Sequence, residues 1–210
     1  VDDLGEFAHN FGLGVSTGIE LVETTGNMSN RANHSDYTGT EWRIGDTLQA
    51  AIGQSDSIFT PLQMAEYVAT VANKGTRYSA TFLKAIRSFD YSEKSYEREP
   101  EVLSVVESAD YNWDAVHDGM WQVTNSPINL ANYELFSPCK WVVAGKTGTA
   151  QKGENIANDA MFICFAPYRT PEVAVSVVVE RGGAGADVAF IARNILDAYI
   201  TIRGYSDSSE

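Results

Sequence analysis

The chain has 210 residues, enough for one domain or two small ones with a real core. Apolar residues make up 44% and charged residues 20%, the balance of a globular protein. Lys and Arg number 15 against 28 Asp and Glu, and the net charge of −13 argues against nucleic acid and anionic lipid as partners. The acidic residues are scattered and read as a solvated surface. No run of about 18 successive apolar residues occurs, so no transmembrane helix is expected. Residue 1 opens directly into Asp2-Asp3-Leu4, not into a signal peptide, and an export signal or anchor cut away upstream would leave no trace here. Of the two cysteines, Cys164 sits in an apolar run and reads as a small core residue, while Cys139 follows Pro138 in a loop. Pairing between them is left open, because two cysteines do not define a disulfide framework.

In chain order, residues 3 to 11 read as a helix with Leu4, Phe7, Ala8 and Phe11 on one face, ended by Gly12 and Gly14. Val22 to Gly39 reads as a long polar loop. Asn27-Met28-Ser29 and Asn33-His34-Ser35 match the glycosylation sequon, a short and common pattern given no weight. A strong helix start follows: Thr60 as N-cap, Pro61 at the first helical position and Gln63 completing a capping box. Leu62, Ala65, Val68, Ala69 and Ala72 form its apolar stripe, and Gly75 stops it. Tyr78 to Phe89 is strand-like, Asp90 to Pro100 is an exposed hairpin or loop, and Val102 to Val106 is a short strand. Trp113 to Thr124 is helical, and Ser126 to Lys140, with Pro127 and Pro138, is irregular. Three strands follow at about 141 to 151, 159 to 167 and 172 to 181, with Val173, Val175, Val177 and Val179 on one face of the last. Asp187 caps a final helix whose apolar residues run from Val188 to Tyr199, Gly204 ends it, and 206 to 210 should fray. No repeat or linker breaks the chain.

The chemistry concentrates at Gly145-Lys146-Thr147-Gly148-Thr149-Ala150-Gln151. Lys146 offers a fixed positive charge for a carboxylate, and Thr147 adds a hydroxyl donor beside it. Gly148 has no Cβ, so a substrate backbone could approach the strand closely. The Thr149 N–H would face a developing oxyanion. Alone, a Lys-Thr-Gly tripeptide reads as well as a polar strand end.

The context changes that. Gly45-Asp46-Thr47, Ala51-Ile52-Gly53-Gln54, Thr60-Pro61-Leu62-Gln63-Met64-Ala65, Ala72-Asn73-Lys74-Gly75-Thr76 and Gly145 to Gln151 together resemble the transpeptidase domain of class B penicillin-binding proteins. These are bacterial cell-wall D,D-transpeptidases. Phe11-Gly12-Leu13-Gly14 with Thr17-Gly18-Ile19 fits the same pattern, and Asp159 to Tyr168 and Val173 to Gly183 resemble the two strands after the Lys-Thr-Gly strand. The resemblance spans nearly the whole chain in the right order. It departs from the family at Ser126 to Tyr133, where a Gly-rich segment is usual.

Two of the family's motifs are absent. Ser-x-x-Lys at a helix start sets a serine nucleophile one turn from the lysine that takes its proton, and Ser-x-Asn stands on a nearby loop. Both precede the matched region in the family, so residues 1 to 210 resemble the C-terminal part of a single transpeptidase domain. Ser137-Pro138-Cys139-Lys140 matches Ser-x-x-Lys literally, but it runs straight into the Lys146 strand and stands in the wrong order. Ser88-Phe89-Asp90 and Ser108-Ala109-Asp110 read as chance matches to a Ser-x-Asp variant.

The resemblance implies an α+β fold: an antiparallel sheet flanked by helices on both faces, incomplete on its N-terminal side. It implies Lys146, Thr147 and Gly148 as the third catalytic motif, with Thr149 N–H as half of an oxyanion hole. Lys146, Thr147, Thr149 and Gln151 would contact substrate. No cofactor and no metal is implied. Partners would be peptidoglycan stem peptides and β-lactams, the N-terminal remainder of the domain, and a second copy through the strand at 172 to 181. The protein would work at the extracytoplasmic face of the cell membrane, held by an N-terminal helix not in this chain. The chain alone, without the serine, would be inactive. The competing readings are a serine β-lactamase or D,D-carboxypeptidase, a non-catalytic penicillin-sensing module, and an unrelated α/β domain with a chance tripeptide.

Overall fold

The computed structural model describes residues 1–204, so the tail at 206–210 lies outside the described residues. The chain divides into two compact units, 1–66 with 75–106, and 67–74 with 107 onward.

In the first unit, α1 (Asp2–His9) opens with two aspartates at the positive end of its dipole. It ends two residues earlier than the apolar spacing suggests, before Gly12 and Gly14, both at positive φ. Ala8 and Phe11 are buried, whereas Leu4 and Phe7 of the expected stripe are exposed. The stretch from 22 to 39 is not a single loop. Asn27 bridges Ile58, and α2 (His34–Thr38) ends at Gly39 in the left-handed region. What orders it is the Asp56 carboxylate, which accepts from the hydroxyls of Ser29 and Ser55 at 2.7 Å and lies 3.2 Å from His34 Nδ1. Asn27 and Ser29 are buried, which closes the first sequon to modification in the folded chain.

Helix α3 (Ile44–Ala51) is fixed at its start by Asp46, which accepts the Arg43 N–H at 2.7 Å, and by Thr47, which accepts the Trp42 indole N–H at 2.9 Å. Helix α4 (Pro61–Ala72) starts as expected. Thr60 Oγ1 accepts the Gln63 N–H at 3.1 Å, and Gln63 Oε1 accepts the Thr60 N–H at 3.0 Å. The fully buried Gln63 amide also donates to the carbonyls of Val15 and Thr25, at 2.8 and 2.7 Å. The capping glutamine therefore staples two loops that lie about 40 to 50 residues upstream in sequence. Helix α4 stops where Lys74 and Gly75 both take positive φ.

Strand β1 (Thr76–Tyr78) follows, then β2 (Ala85–Arg87), β3 (Lys94–Glu97) and β4 (Val102–Val105). The expected strand at 78–89 is thus broken in two. β1 pairs antiparallel with β4, and β3 returns on β2 as the expected hairpin. Arg77 of β1 is buried and its Nε lies 3.1 Å from Glu66 of α4, while Nη2 donates to the Ser16 carbonyl. Burial pushes the Glu66 carboxyl up to about 7, against the opposing pull of Arg77. A β-carbon at Gly12 would run into this pair, 2.8 Å from Arg77 Nε, and Gly12 holds φ +89°. That accounts for the small residue in Phe11-Gly12-Leu13-Gly14.

The second unit is built on a three-stranded antiparallel sheet. Helix α5 (Asp110–Asn125) leads into α6 (Leu130–Phe136), which corrects the irregular reading of 126–140. Then come β5 (Ala144–Ala150), β6 (Asp159–Ala166) and β7 (Val173–Val179), in the order β5-β6-β7. A one-turn 3₁₀ helix (Gly185–Val188) precedes α7 (Ala189–Ile202). Asp187 lies inside that turn and accepts the Ala184 N–H at 2.9 Å, so its cap sits earlier than expected. One sheet face carries Phe162, Cys164, Val175 and Val177 against Ala189, Ala192 and Leu196 of α7, and Phe136 of α6 stacks on Phe162 at 5.5 Å. On the other face the Phe165 ring meets His117 of α5 at 5.1 Å, and His117 Nε2 lies 2.8 Å from the Val71 carbonyl oxygen. Helices therefore cover both faces of the antiparallel sheet, as expected. Val175 and Val177 are buried and Val178 points away from that core, 38% exposed. Both cysteines are free thiols: Cys164 is fully buried, its thiol pushed up to about 12 by burial, and Cys139 lies 3.7 Å from Asp197 Oδ1.

Candidate active site

Strand β5 carries Gly145 to Ala150 in register with β6, Lys146 opposite Ile163, Thr147 opposite Phe162 and Gly148 opposite Met161. Side chains alternate, so Lys146 leaves the sheet on the Phe165 face and Thr147 and Thr149 leave on the Phe162 face. The other long edge of β5 has no strand partner among the described residues. Alternate backbone groups of an edge strand point away from its neighbour. Lys146 is exposed, and its Nζ donates to the Thr147 carbonyl at 2.7 Å. Thr147 and Gly148 are half-buried, Thr149 is exposed, and Gln151 lies just past the strand and is exposed.

The glycines have distinct reasons. A β-carbon at Gly145 would fall 2.7 Å from the Phe162 ring, so the ring needs that gap. One at Gly148 would fall 3.3 Å from Met161 Cβ, a tight but softer contact. The connection from β5 to β6 is pinned at its end: Lys152 Nζ lies 2.8 Å from Asp159 Oδ2, and Asp159 Oδ1 accepts the Arg181 N–H at 3.0 Å. The Lys152 hydrogen bond leads in holding the Asp159 carboxyl below its usual range.

The literal serine motifs do not build a nucleophile. Ser137 to Lys140 forms the turn after α6, not the start of a helix. Ser88 donates to Asp90 at 2.7 Å inside the β2–β3 turn, and Ser108 accepts from Asn112 at 3.0 Å at the entry to α5. Among the described residues no group of three or more His, Cys, Asp and Glu is arranged to hold a metal ion, and no helix is long and apolar enough to cross a membrane.

The model of the penicillin binding protein transpeptidase domain matches residues 1–197. The chain belongs to the penicillin-binding protein transpeptidase family. It is 31% identical over 213 residues to the peptidoglycan D,D-transpeptidase MrdA of Escherichia coli K12, covering 94% of this chain and 33% of that protein. Penicillin-binding protein PBP2 of Pseudomonas aeruginosa, solved in complex with WCK 5153, superposes with a TM-score of 0.79 at 30% identity, over 95% of this chain and 44% of that one. Penicillin-binding protein A of Mycobacterium tuberculosis, solved as an imipenem acyl-enzyme complex, superposes at 0.72 with 27% identity, over 95% and 42%. The chain thus spans about a third of the length of the curated relatives it matches.

In this family member one neighbour of the motif strand escaped the sequence reading. Gly185 of the 3₁₀ turn donates its N–H to Thr149 Oγ1 at 3.2 Å. The cluster Gly182-Gly183-Ala184-Gly185 was the available signal, since several small residues between a strand and a helix often mark a close backbone approach.

Proposed function

We propose that this chain is the C-terminal part of the transpeptidase domain of a peptidoglycan D,D-transpeptidase, working at the extracytoplasmic face of the cell membrane. The observation that carries this reading is a Lys-Thr-Gly strand at the open edge of an antiparallel sheet, inside a family match that runs from residue 1 to 197. In the intact enzyme a serine from outside this chain attacks the carbonyl carbon of the penultimate D-alanine of a stem peptide. The D-Ala–D-Ala peptide bond breaks, and the terminal D-alanine leaves with the serine proton on its amine. A neighbouring amine then attacks the ester, forms the new peptide bond and returns the proton to the serine, and a β-lactam traps the same serine by opening its ring on it.

Within this chain Lys146 and Thr147 leave β5 on opposite faces, so one carboxylate reaches both only along the strand's open edge. There Lys146 supplies charge and Thr147 a hydroxyl donor. Thr149 contributes a backbone N–H to the oxyanion and its side chain to the carboxylate, and Gln151 borders the same edge. The Gly148 position keeps that edge low, so an extended peptide lies close to the backbone.

The test is intact-protein mass spectrometry after incubation with benzylpenicillin. The full-length protein gains one penicilloyl group, on a serine outside residues 1–210. The 210-residue chain gains none. A stoichiometric adduct on Ser137 or any other serine of this chain overturns the motif assignment. Rapid turnover of the drug by the full-length protein points to a β-lactamase instead, and a full-length protein that is never acylated points to a binding module.

A further inference from the structure

We infer that Gly185 is a positioning residue for acylation, acting through the Thr149 hydroxyl; this rests on the transpeptidase reading above. The Gly185 N–H donates to Thr149 Oγ1 at 3.2 Å, and Gly185 is itself buried. A β-carbon there would lie 2.5 Å from the carbonyl oxygens of Gly148 and Met161 and 2.8 Å from the Gly148 nitrogen. All three obstacles are backbone atoms of the paired strands β5 and β6, not the ends of flexible side chains. Any other residue at 185 therefore displaces either the 3₁₀ turn or the Lys-Thr-Gly strand.

The turn is held in place independently of that contact. Asp187 Oδ2 accepts the Ala184 N–H at 2.9 Å. The Gly183 N–H donates to the Asn158 carbonyl at 3.1 Å, and Arg181 N–H donates to Asp159. The crossover from β7 to α7 is thus tied to the β5–β6 pair near 158, 159 and 149, at both ends of the connection that borders the motif strand.

The chemical consequence concerns the polarity of Thr149. A threonine hydroxyl has one proton and two lone pairs, and it rotates to suit its surroundings. With one lone pair taken by a fixed backbone N–H, the proton points away from Gly185 and the hydroxyl is oriented as a donor. That is the polarity a carboxylate on the strand edge requires. A glycine retained only for packing would give no such dependence on the Thr149 oxygen.

A double-mutant cycle separates the two. Second-order acylation by a fluorescent penicillin is measured on the full-length protein as wild type, Gly185→Ala, Thr149→Val, the double variant, and Thr149→Ser. The expected results are a loss of about tenfold for Gly185→Ala, a faster rate for Thr149→Ser, which keeps the hydroxyl, than for Thr149→Val, and a further loss below about twofold when Gly185→Ala is added to Thr149→Val. If Gly185→Ala gives no cooperative melt, Asp187→Ala loosens the same turn and enters the cycle in its place. Equal losses in the threonine and valine backgrounds, or no loss at all, overturn the inference while the acylated wild type upholds the transpeptidase reading. A wild type that is not acylated overturns both.

Discussion

Replacing Glu66 with glutamine should change how stability depends on pH. The Glu66 carboxylate lies 3.1 Å from Arg77 Nε, and the two side chains are 6% and 7% exposed. Burial is the leading cause of the rise of its pKa from 4.5 to about 7, Arg77 opposes it, and Glu23 adds a smaller push in the same direction. A shift of that size corresponds to a ceiling of roughly 3 kcal/mol, and relaxation of the buried site around the charged form leaves about 1–2 kcal/mol. The folded pKa lies above the unfolded one, so the folded state binds the proton more tightly. The contribution is fully present below pH about 4.5 and is lost as the pH rises through about 7. The glutamine variant has no such titration and keeps nearly the same shape. The unfolding free energy of wild type relative to Glu66→Gln should therefore fall by about 1–2 kcal/mol between pH 4.5 and 8. Paired urea titrations followed by far-ultraviolet circular dichroism read the difference directly, because groups not coupled to Glu66 titrate alike in both chains. A difference that is flat with pH, or one that grows with pH, refutes the reasoning. The second outcome would mean that Arg77 outweighs burial.

Lys146→Ala in the full-length protein should slow acylation by about ten- to a hundredfold, the worth of one charge-assisted hydrogen bond made in the transition state. Lys146 is exposed, so the melting temperature should not move, and unchanged acylation kinetics would remove it from the site. The 210-residue chain should associate with itself through β7, giving a weight-average mass that rises with concentration in sedimentation. Val178→Lys should suppress that rise by placing a charge beside the open edge, whereas a monomeric wild-type chain would show that the edge is not sticky. Val177, which faces Phe162 and α7, is the wrong position for such a charge because the core would be lost with it.

The parts legible in the sequence were those written in local chemistry. Thr60, Pro61 and Gln63 announced α4, because a capping box is a contact among residues three apart. Alternating valines announced β7 and its buried face. The Lys-Thr-Gly strand was recognisable from motif order across the chain. The rest was set by partners distant in sequence. Helix α2 is ordered around Asp56, about twenty residues downstream, so its polar composition reads locally as loop. Helix α6 is only one to two turns long between two prolines, and the stacking of Phe136 on Phe162 holds it. The second role of Gln63, bonded to Val15 and Thr25, has no local signature. The same holds for Gly185, whose need for a missing side chain comes from strands more than twenty residues away.

The two outer edges of the β5-β6-β7 sheet, neither of which has a strand partner among the described residues, are chemically unlike, and the difference bears on which one takes a ligand. β5 reads Ala-Gly-Lys-Thr-Gly-Thr-Ala, with two glycines, one lysine and no apolar β-branched residue. Such a strand has little side-chain surface with which to hold a neighbouring strand, and a charge on an edge discourages strand addition. Its order comes from β6 on one side and, through Thr149 and Gly148, from the 3₁₀ turn against its end. It is therefore firm without being sticky, which suits the extended peptide that the proposed function brings to this edge. β7 reads Val-Ala-Val-Ser-Val-Val-Val, uncharged and free of proline. That composition favours a lasting strand partner, and under the proposed function the same sheet separates a substrate edge from a structural one. A second strand found paired along β5 instead of β7 would contradict this division.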